Sequence, residues 1–199
     1  MTRTILCFGD SNTYGYDPRS PLGDRYPRTV RWTGILDQRP AWSILNWGQN
    51  GREIPRRPVE TAFLREQLER AGAPDVFLVM LGSNDLLQSP GYTAGDVTAR
   101  MAAFLRRLAA LPTLANTQLL LVPPPAMHPG AWVLEERLLR ESAALAPAYK
   151  ALARELCIAF ADCGDWDIPT VFDGVHFSEA GHRIFAREMC RVLEELLGG

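Results

Sequence analysis

Short apolar runs alternate with longer amphipathic stretches along the whole of this 199-residue chain. Five runs rich in Ile, Leu and Val predict strands, at residues 4–8, 42–47, 75–81, 117–122 and 157–162. Five longer patterns predict helices, at residues 28–39, 58–71, 95–111, 133–156 and 178–197. Strands that are apolar on both faces are typical of a parallel sheet with helices on either side. The alternation therefore predicts an α/β protein, built as a three-layer α/β/α sandwich.

No internal repeat, low-complexity segment or linker divides the chain, and its length suits one ordinary domain. We therefore expect residues 1–199 to form a single domain. For its central sheet we expect five parallel strands in the flavodoxin-like order 2-1-3-4-5.

The charge balance argues against two classes of partner. The chain carries 21 Lys and Arg against 23 Asp and Glu, a net charge of −2, so we expect neither nucleic acid nor an anionic membrane. No apolar run approaches the roughly 18 residues of a membrane span. The first residues, MTRTILCFGD, lack the pattern of a secretion signal. These features predict a cytoplasmic protein.

The four cysteines, Cys7, Cys157, Cys163 and Cys190, show no C-x-x-C spacing. Cys7 and Cys157 lie in runs expected to be strands, so we predict buried free thiols. Three histidines and no H-E-x-x-H motif leave little from which to build a metal site. We expect neither a metal ion nor another cofactor.

Four polar segments lie close to the predicted strand ends, at residues 9–12, 48–52, 82–85 and 173–176. The first three follow strands directly, and the fourth precedes the last helix. Ligands of an open parallel sheet bind outside the carboxyl ends of its strands. Each segment alone is an acceptable turn, but four of them at one edge of a sheet indicate a reaction site.

The side chains in these segments fit nucleophilic catalysis. Ser11 offers a hydroxyl, which becomes a good nucleophile when a base within hydrogen-bond reach takes its proton. His176 offers a base suited to neutral pH, and Asp173 offers the acceptor that holds an imidazole in one tautomer. We therefore predict Ser11, Asp173 and His176 as catalytic residues.

Attack on an acyl carbonyl places negative charge on its oxygen, which preorganised donors must meet. The backbone amides of Ser11 and Gly51 and the side-chain amide of Asn84 are candidates for this oxyanion hole. Gly51, without a side chain, lets a substrate approach the backbone closely.

The polar segments carry a family resemblance. GDSN at 9–12, the segment 46–51, GSND at 82–85 and DGVH at 173–176 resemble the four blocks of the SGNH hydrolases, also called the GDSL family of esterases and lipases. The resemblance covers nearly the whole chain. It implies the α/β/α fold and the roles already assigned to the serine, histidine, aspartate, glycine and asparagine.

Three further stretches, TYGYDP after the serine, RWTG at 31–34 and VPPPAM at 122–127, resemble the aryl-esterase and acyltransferase branch of that family. In this branch, insertions such as the loop at 17–27 serve assembly. The resemblance therefore implies a homo-oligomer, and the same loop is also a candidate lid.

The chain departs from the family pattern at Asn12, where the family name expects Leu. We expect this residue to pack or cap behind the nucleophile. The segment after strand two contains both Gly48 and Gly51, and the family spacing selects Gly51. Asp10 is expected to order the nucleophile turn through backbone hydrogen bonds.

Loop residues at the active edge are candidates to bind substrate: Asp10, Asn12, Tyr14, Tyr16, Trp47, Arg52, Met127 and Trp132. His128 is expected in an exposed loop, and His182 is expected to be a structural or surface histidine rather than a second base. A small, partly aromatic pocket favours short acyl esters, including acetyl groups on carbohydrates. We therefore predict a serine esterase for short acyl esters, with acyl transfer as a further activity.

Other functions stay open at this point. Within the family they are carbohydrate acetylesterase, lysophospholipase and thioesterase. Outside it, a flavodoxin-like module that binds phosphate or flavin would need phosphate-cradling glycines, in which GDSNTYG is poor. A non-catalytic family member is disfavoured because Ser11, Asn84, Asp173 and His176 are all intact.

Overall fold

Five parallel strands form the central sheet of the computed structural model, which describes residues 2–20 and 22–198. The strands are β1 (Arg3–Gly9), β2 (Trp42–Gly48), β3 (Val76–Met80), β4 (Gln118–Leu121) and β5 (Ala159–Phe160). Their order across the sheet is β2-β1-β3-β4-β5, and each neighbouring pair is parallel. The predicted fold class and strand order are confirmed.

Helices connect the strands and cover both faces of the sheet. They are α1 (Ser11–Tyr14), α2 (Trp32–Leu36), α3 (Pro58–Ala71), α4 (Ser83–Gln88), α5 (Ala94–Ala109), α6 (Glu136–Glu155) and α7 (Glu179–Gly198). The short helices α1 and α4 begin within two or three residues of the ends of β1 and β3. Each therefore starts at the carboxyl edge of the sheet.

Alternating side chains of the strands supply the two hydrophobic cores. On one face, Leu6, Phe77 and Val79 are fully buried beneath α3, α5 and α6. On the other face, Cys7 and Leu78 are fully buried beneath α2 and α7. Successive side chains of a strand point to opposite faces, so a strand covered on both sides must be apolar throughout. This requirement explains why the strands stand out in the sequence.

Local capping signals account for the bounds of α3, which match the predicted 58–71. Pro58 occupies the first helical position, where a missing N–H costs nothing. The Glu60 carboxylate accepts the backbone N–H groups of Arg56 and Arg57 at 2.9 and 2.8 Å. Gly72 follows the last turn with a φ of +83°, a conformation that glycine adopts without strain.

The predicted helix at 28–39 is wrong in length, because α2 spans only Trp32–Leu36. A turn precedes it, in which the N–H groups of Val30 and Arg31 both bind the Pro27 carbonyl. After it, the Asp37 carboxylate accepts the Ile44 N–H of β2 at 2.9 Å. Helix α2 is therefore confined by contacts at both ends that its own periodicity does not reveal.

The prediction of Cys157 as a buried strand residue is also wrong. Cys157 is exposed and lies in the turn after α6 with a φ of +53°, because β5 is a short edge strand of only two residues. Cys7 and Cys163 are buried free thiols, as predicted, and Cys190 is half-buried. Burial raises the pKa of Cys163 to about 12 and that of Cys7 further, so both stay protonated.

Residues 2–20 and 22–198 contain neither a membrane-spanning helix nor a cluster of metal-binding side chains. None of the helices there is long and apolar enough to cross a bilayer. No three His, Cys, Asp or Glu side chains in the same ranges are grouped so that they could hold a metal ion.

His182 lies on α7 and is fully buried. Its Nδ1 accepts the Trp32 N–H at 3.5 Å, and its ring meets the edges of Tyr26 and Phe177 at centroid distances of 5.1 and 5.4 Å. Burial, together with the charge of Arg31, lowers the pKa of His182 to about 3. The imidazole is therefore a neutral core group near pH 7.

This neutral histidine predicts a loss of stability in mild acid. Between the ordinary histidine pKa and the folded value of about 3, the unfolded chain binds a proton here that the folded chain does not. The contribution of His182 to the free energy of unfolding therefore falls as the pH falls. When the pH falls from 7.5 to 5, the free energy of unfolding of the wild type should decrease by about 2 kcal/mol more than that of His182→Gln, as measured by urea denaturation. Equal losses in both proteins would contradict this prediction.

Candidate active site

Ser11 is the first residue of α1, directly beyond the end of β1, and it is buried apart from a 6% exposed fraction. The Asp10 carboxylate caps the helix by accepting the Asn12 N–H at 3.0 Å. Gly9 permits the tight turn, because a Cβ there would lie 2.0 Å from the Thr13 hydroxyl and 3.0 Å from the Met80 carbonyl. The strand end therefore presents the serine hydroxyl at the sheet edge.

His176 and Asp173 meet this hydroxyl from the loop before α7. His176 Nε2 lies 2.9 Å from Ser11 Oγ, and His176 Nδ1 lies 2.7 Å from Asp173 Oδ2. The other oxygen, Asp173 Oδ1, accepts the N–H groups of Val175 and His176 at 2.8 and 2.9 Å. The structure therefore brings the three predicted side chains into one hydrogen-bonded chain.

The Asp173 carboxyl is suited to remain ionised. Its side chain is fully buried, which raises its pKa. The hydrogen bonds from His176 and Val175 outweigh burial, so the pKa of Asp173 lies below its usual value. A carboxylate in this position holds the imidazole with Nε2 free to accept the serine proton.

Two aromatic rings hold the His176 imidazole from its sides. The Tyr16 ring lies 4.9 Å from it at an interplanar angle of 63°, and the Trp132 ring lies 4.9 Å from it at 83°. Trp132 is also tied to the loop at 171–178, which we call the histidine loop, because its backbone N–H donates to the Asp173 carbonyl at 3.1 Å. The two rings therefore restrict the ring orientation and form walls beside the serine.

Gly51, and not Gly48, reaches the cavity in front of Ser11. Gly48 is the last residue of β2 and packs so tightly on α1 that a Cβ there would lie 2.1 Å from the Tyr14 nitrogen. Gly51 lies in the following turn with a φ of +71°, and a Cβ there would meet only the Gln88 side chain, at 3.8 Å.

Asn84, on α4, fixes the Gly51 turn from the opposite side. Asn84 Nδ2 donates to the Arg52 carbonyl at 3.1 Å, and Gln88 Nε2, one helical turn later, donates to the Gly51 carbonyl at 3.0 Å. A carboxamide has two N–H donors, so Asn84 retains a second one for a ligand. Ser11, Gly51 and Asn84 line one cavity.

Asp85 anchors the segment that follows Gly51. Its fully buried carboxylate accepts the Ile54 N–H at 3.1 Å and forms an ion pair with Arg100 at 2.5 Å. Burial raises the pKa of Asp85 to about 6, although these two contacts oppose the shift. Asp85 therefore ties the end of the Gly51 turn to α4 and α5.

The cavity in front of Ser11 has a volume of about 560 Å³. Its lining combines four apolar or aromatic side chains with polar groups from all four sequence segments. The lining residues are Asp10, Ser11, Tyr16, Asn50, Gly51, Ser83, Asn84, Leu87, Gln88, Trp132, Val175 and His176. Burial raises the pKa of Asp10 to about 6, against the opposing effects of the Asn12 N–H and of His176.

Three residues predicted to contact substrate do not line this cavity. The Tyr14 ring lies beneath the Arg25 guanidinium, at 4.1 Å. Trp47 packs against the hydrophobic core on the α3 face of the sheet. Met127 is only 5% exposed and belongs to the same core. These corrections share one cause, since the direction of each side chain depends on neighbours distant in sequence.

Two polar candidates also point elsewhere. Asn12 is buried and forms hydrogen bonds with the histidine loop. Arg52 lies over the Phe8 ring at 4.2 Å and donates to the carbonyls of Gly9 and Trp47. Both residues therefore support the site from outside the cavity.

Sequence reasoning missed five of the lining residues, namely Asn50, Ser83, Leu87, Gln88 and Val175. The sequence could have indicated Gln88 as a lining residue, because it follows Asn84 by four residues on a helix and so lies on the same helix face. His128, as predicted, lies in an exposed loop. Its N–H donates to the Gly174 carbonyl at 2.9 Å.

The loop at 17–27 is folded onto the protein at several points, apart from Pro21, which lies outside the described residues. The Tyr26 side chain is 2% exposed, and its N–H donates to the Gly15 carbonyl at 2.8 Å. Arg19 pairs with Asp17 at 2.9 Å and with Glu179 at the start of α7 at 3.3 Å. The roles of the loop at 17–27 as a lid or in assembly stay predictions.

Comparisons with solved structures place this site among esterases. An M. smegmatis aryl esterase is 27% identical, with a TM-score of 0.84, over 98% of this chain and 100% of that one. A carbohydrate acetylesterase family member from Sinorhizobium meliloti is 28% identical, with a TM-score of 0.85, over 100% of both chains. A carbohydrate acetylesterase from the same organism is 25% identical, with a TM-score of 0.85, over 98% of this chain and 100% of that one.

A comparison with curated protein sequences gave no significant match. The family model of the GDSL-like lipases and acylhydrolases, in contrast, matches residues 7–184, from β1 into α7. This range includes every residue of the hydrogen-bonded chain described above. The protein therefore belongs to the GDSL-like lipase/acylhydrolase family and is a carboxylic ester hydrolase.

Proposed function

We propose that this enzyme hydrolyses short-chain acyl esters through a covalent acyl-enzyme formed on Ser11. The observation that carries the proposal is the continuous hydrogen-bonded chain Asp173–His176–Ser11, with contacts of 2.7 and 2.9 Å. This chain opens into a cavity that holds further N–H donors. A flavodoxin-like module that only binds phosphate or flavin does not require a serine hydroxyl bonded to a histidine–aspartate pair.

The first step transfers the acyl group to the serine. His176 Nε2 takes the proton from Ser11 Oγ as this oxygen bonds to the ester carbonyl carbon. Asp173 stabilises the imidazolium, which then gives its proton to the departing alkoxide as the C–O ester bond breaks. In the second step His176 takes a proton from water as the water oxygen bonds to the acyl carbon. The imidazolium then returns this proton to Ser11 Oγ as the acyl C–Oγ bond breaks, which releases the carboxylic acid and restores the serine.

Both steps develop negative charge on the former carbonyl oxygen. The proposed donors to it are the backbone N–H groups of Ser11 and Gly51 and the Asn84 side chain. Ser11 is the first residue of a helix, where the N–H has no intrahelical partner. Removing one such donor typically costs on the order of 100- to 1,000-fold in kcat.

The cavity lining favours a short acyl group. Its apolar surface comes from Tyr16, Leu87, Trp132 and Val175, and it is interrupted by the carboxamides of neighbouring residues. A long acyl chain needs a continuous apolar groove to gain binding energy from each methylene. The carbohydrate acetylesterases among the solved relatives, which are named for the acetyl group, support a short acyl group. The same acyl-enzyme can pass its acyl group to an alcohol that replaces water.

Replacing Ser11 by Ala removes the nucleophile and should lower the hydrolysis of p-nitrophenyl acetate by at least about 1,000-fold. The variant should also resist labelling by an organophosphate, as measured by mass spectrometry. Ser83→Ala is the matched control, because Ser83 is a second buried serine of the same cavity. Organophosphate labelling of Ser11→Ala at wild-type rates would contradict the assignment.

The acyl-chain preference is tested with p-nitrophenyl esters from acetyl to octanoyl, kept below their micelle-forming concentrations. We expect kcat/KM to fall with length, whereas an open apolar groove would add about 0.8 kcal/mol per methylene and reverse the slope. Trp132→Ala removes one wall and should shift the preference towards longer chains. An optimum at octanoyl in the wild type would favour a lipase or thioesterase.

A second candidate substrate is an acetylated carbohydrate, and one observation favours it. Beyond the Gln88–Gly51 hydrogen bond lies a second cavity of about 530 Å³, with a mostly polar lining. Gln49, Glu53 and Gln67 supply hydrogen-bonding groups there, and the Phe63 ring is 59% exposed beside them. An exposed aromatic ring next to planar polar groups suits a sugar, whose face is apolar and whose edge carries hydroxyls.

Phe63→Ala tests this second candidate. It should raise the KM for an acetylated glycoside about tenfold, equivalent to one aromatic contact, and leave p-nitrophenyl acetate hydrolysis unchanged. Val59→Ala is the matched control, because Val59 is exposed on the same helix and lies outside the cavity. Equal effects of the two substitutions on the glycoside would exclude this cavity as the sugar site.

A further inference from the structure

The two reacting groups of the site come from distant parts of the chain. Ser11 lies on α1, and His176 lies on the histidine loop. Their hydrogen bond of 2.9 Å joins residues 165 positions apart. A hydroxyl–imidazole contact adds little stability by itself, so other contacts must hold the two segments in register.

The Asn12 side chain forms two hydrogen bonds, one on each side of His176. Asn12 Nδ2 donates to the Val175 carbonyl at 3.1 Å, and Asn12 Oδ1 accepts the Phe177 N–H at 2.9 Å. Asn12 is 5% exposed, so both bonds are shielded from water. Within the described residues, these bonds and the Ser11–His176 contact are the hydrogen bonds between α1 and the histidine loop.

The backbone of Asn12 is held as firmly as its side chain. Its N–H donates to the Asp10 carboxylate at 3.0 Å, and its carbonyl accepts the Trp32 indole N–H, also at 3.0 Å. Trp32 is fully buried between the sheet and α7. The carboxamide therefore projects from a base that the core fixes.

We propose that Asn12 is a positioning residue, whose carboxamide holds the histidine loop against α1 and so sets the distance between Ser11 Oγ and His176 Nε2. This proposal rests on the proposed catalytic roles of Ser11 and His176. Asn12 does not line the cavity, so it acts on the reaction only through its neighbours.

The chemistry of the side chain explains why an amide suits this position. The Val175 carbonyl needs a donor and the Phe177 N–H needs an acceptor, and a carboxamide supplies one of each. An ionised Asp supplies acceptors alone, and Leu supplies neither. Leu is the residue that the GDSL name places here, so its shape should be compatible with the fold.

Asn12→Leu therefore distinguishes an effect on the catalytic step, seen in kcat, from an effect on substrate binding, seen in KM. We expect kcat for p-nitrophenyl acetate to fall about 10- to 100-fold, because a shift of about 1 Å between reacting groups costs this much. KM should change less than about threefold, since no lining group is removed. The second-order rate constant for organophosphate labelling of Ser11 should fall in parallel, while titration of the active sites should still reach one label per chain.

Two further variants complete the experiment. Thr117→Val is the matched structural control, because it removes one hydrogen bond, the 2.7 Å contact with the Pro74 carbonyl at the opposite edge of the sheet. It should lower the melting temperature without changing kcat. Ser11→Ala, measured beside it, tests the proposed function independently.

An active Ser11→Ala would overturn the mechanism, whereas an inactive Ser11→Ala with a fully active Asn12→Leu would overturn only the role of Asn12. A kcat loss in Asn12→Leu that is matched by fewer titratable sites would assign Asn12 to stability alone and so overturn the proposal. If Asn12→Leu does not fold, Asn12→Asp decides, because it keeps the size and the acceptor but loses the donor. A reduced kcat with an unchanged KM supports the proposal, and wild-type kcat overturns it.

Discussion

The contact between the Ser11 hydroxyl and the His176 imidazole depends on a parallel sheet that brings all its carboxyl ends to one edge. The serine follows β1 directly, and the oxyanion-hole candidates Gly51 and Asn84 follow β2 and β3. The loop that carries Asp173 and His176 packs against the same edge, because Asp173 and Gly174 bond to the segment after β4 through the N–H groups of Trp132 and His128. The buried sheet therefore positions every residue that we propose to take part in the reaction.

Buried carboxylates secure the loops around this edge. Asp173 accepts the backbone N–H groups of Val175 and His176 beside its imidazole contact, and Asp85 ties the Gly51 turn to two helices. Burying a charge costs free energy, which these residues offset by accepting several N–H donors each. Carboxyl groups with shifted pKa values around one cavity are typical of functional sites.

Two cavities on either side of the Gln88–Gly51 hydrogen bond differ in chemical character. The cavity at Ser11 has aromatic and aliphatic walls, whereas the one beyond Gln88 is mostly polar. An ester with a small acyl group and a hydroxyl-rich alcohol would match both environments. This contrast supports the proposal of an ester substrate that has one apolar and one polar part.

The sequence by itself determined the sheet, its strand order and the residues that meet at its edge. Strands covered on both faces must be apolar throughout, and each polar segment is a short run of residues close to a strand end, so both signals are local. Only the tertiary structure decided that Tyr16 and Trp132 face the cavity while Trp47 packs in the core, and that Asn12 binds the histidine loop. It also decided that Cys157 is exposed. These outcomes depend on neighbours distant in sequence, and the direction of a side chain is set by such neighbours rather than by its own segment.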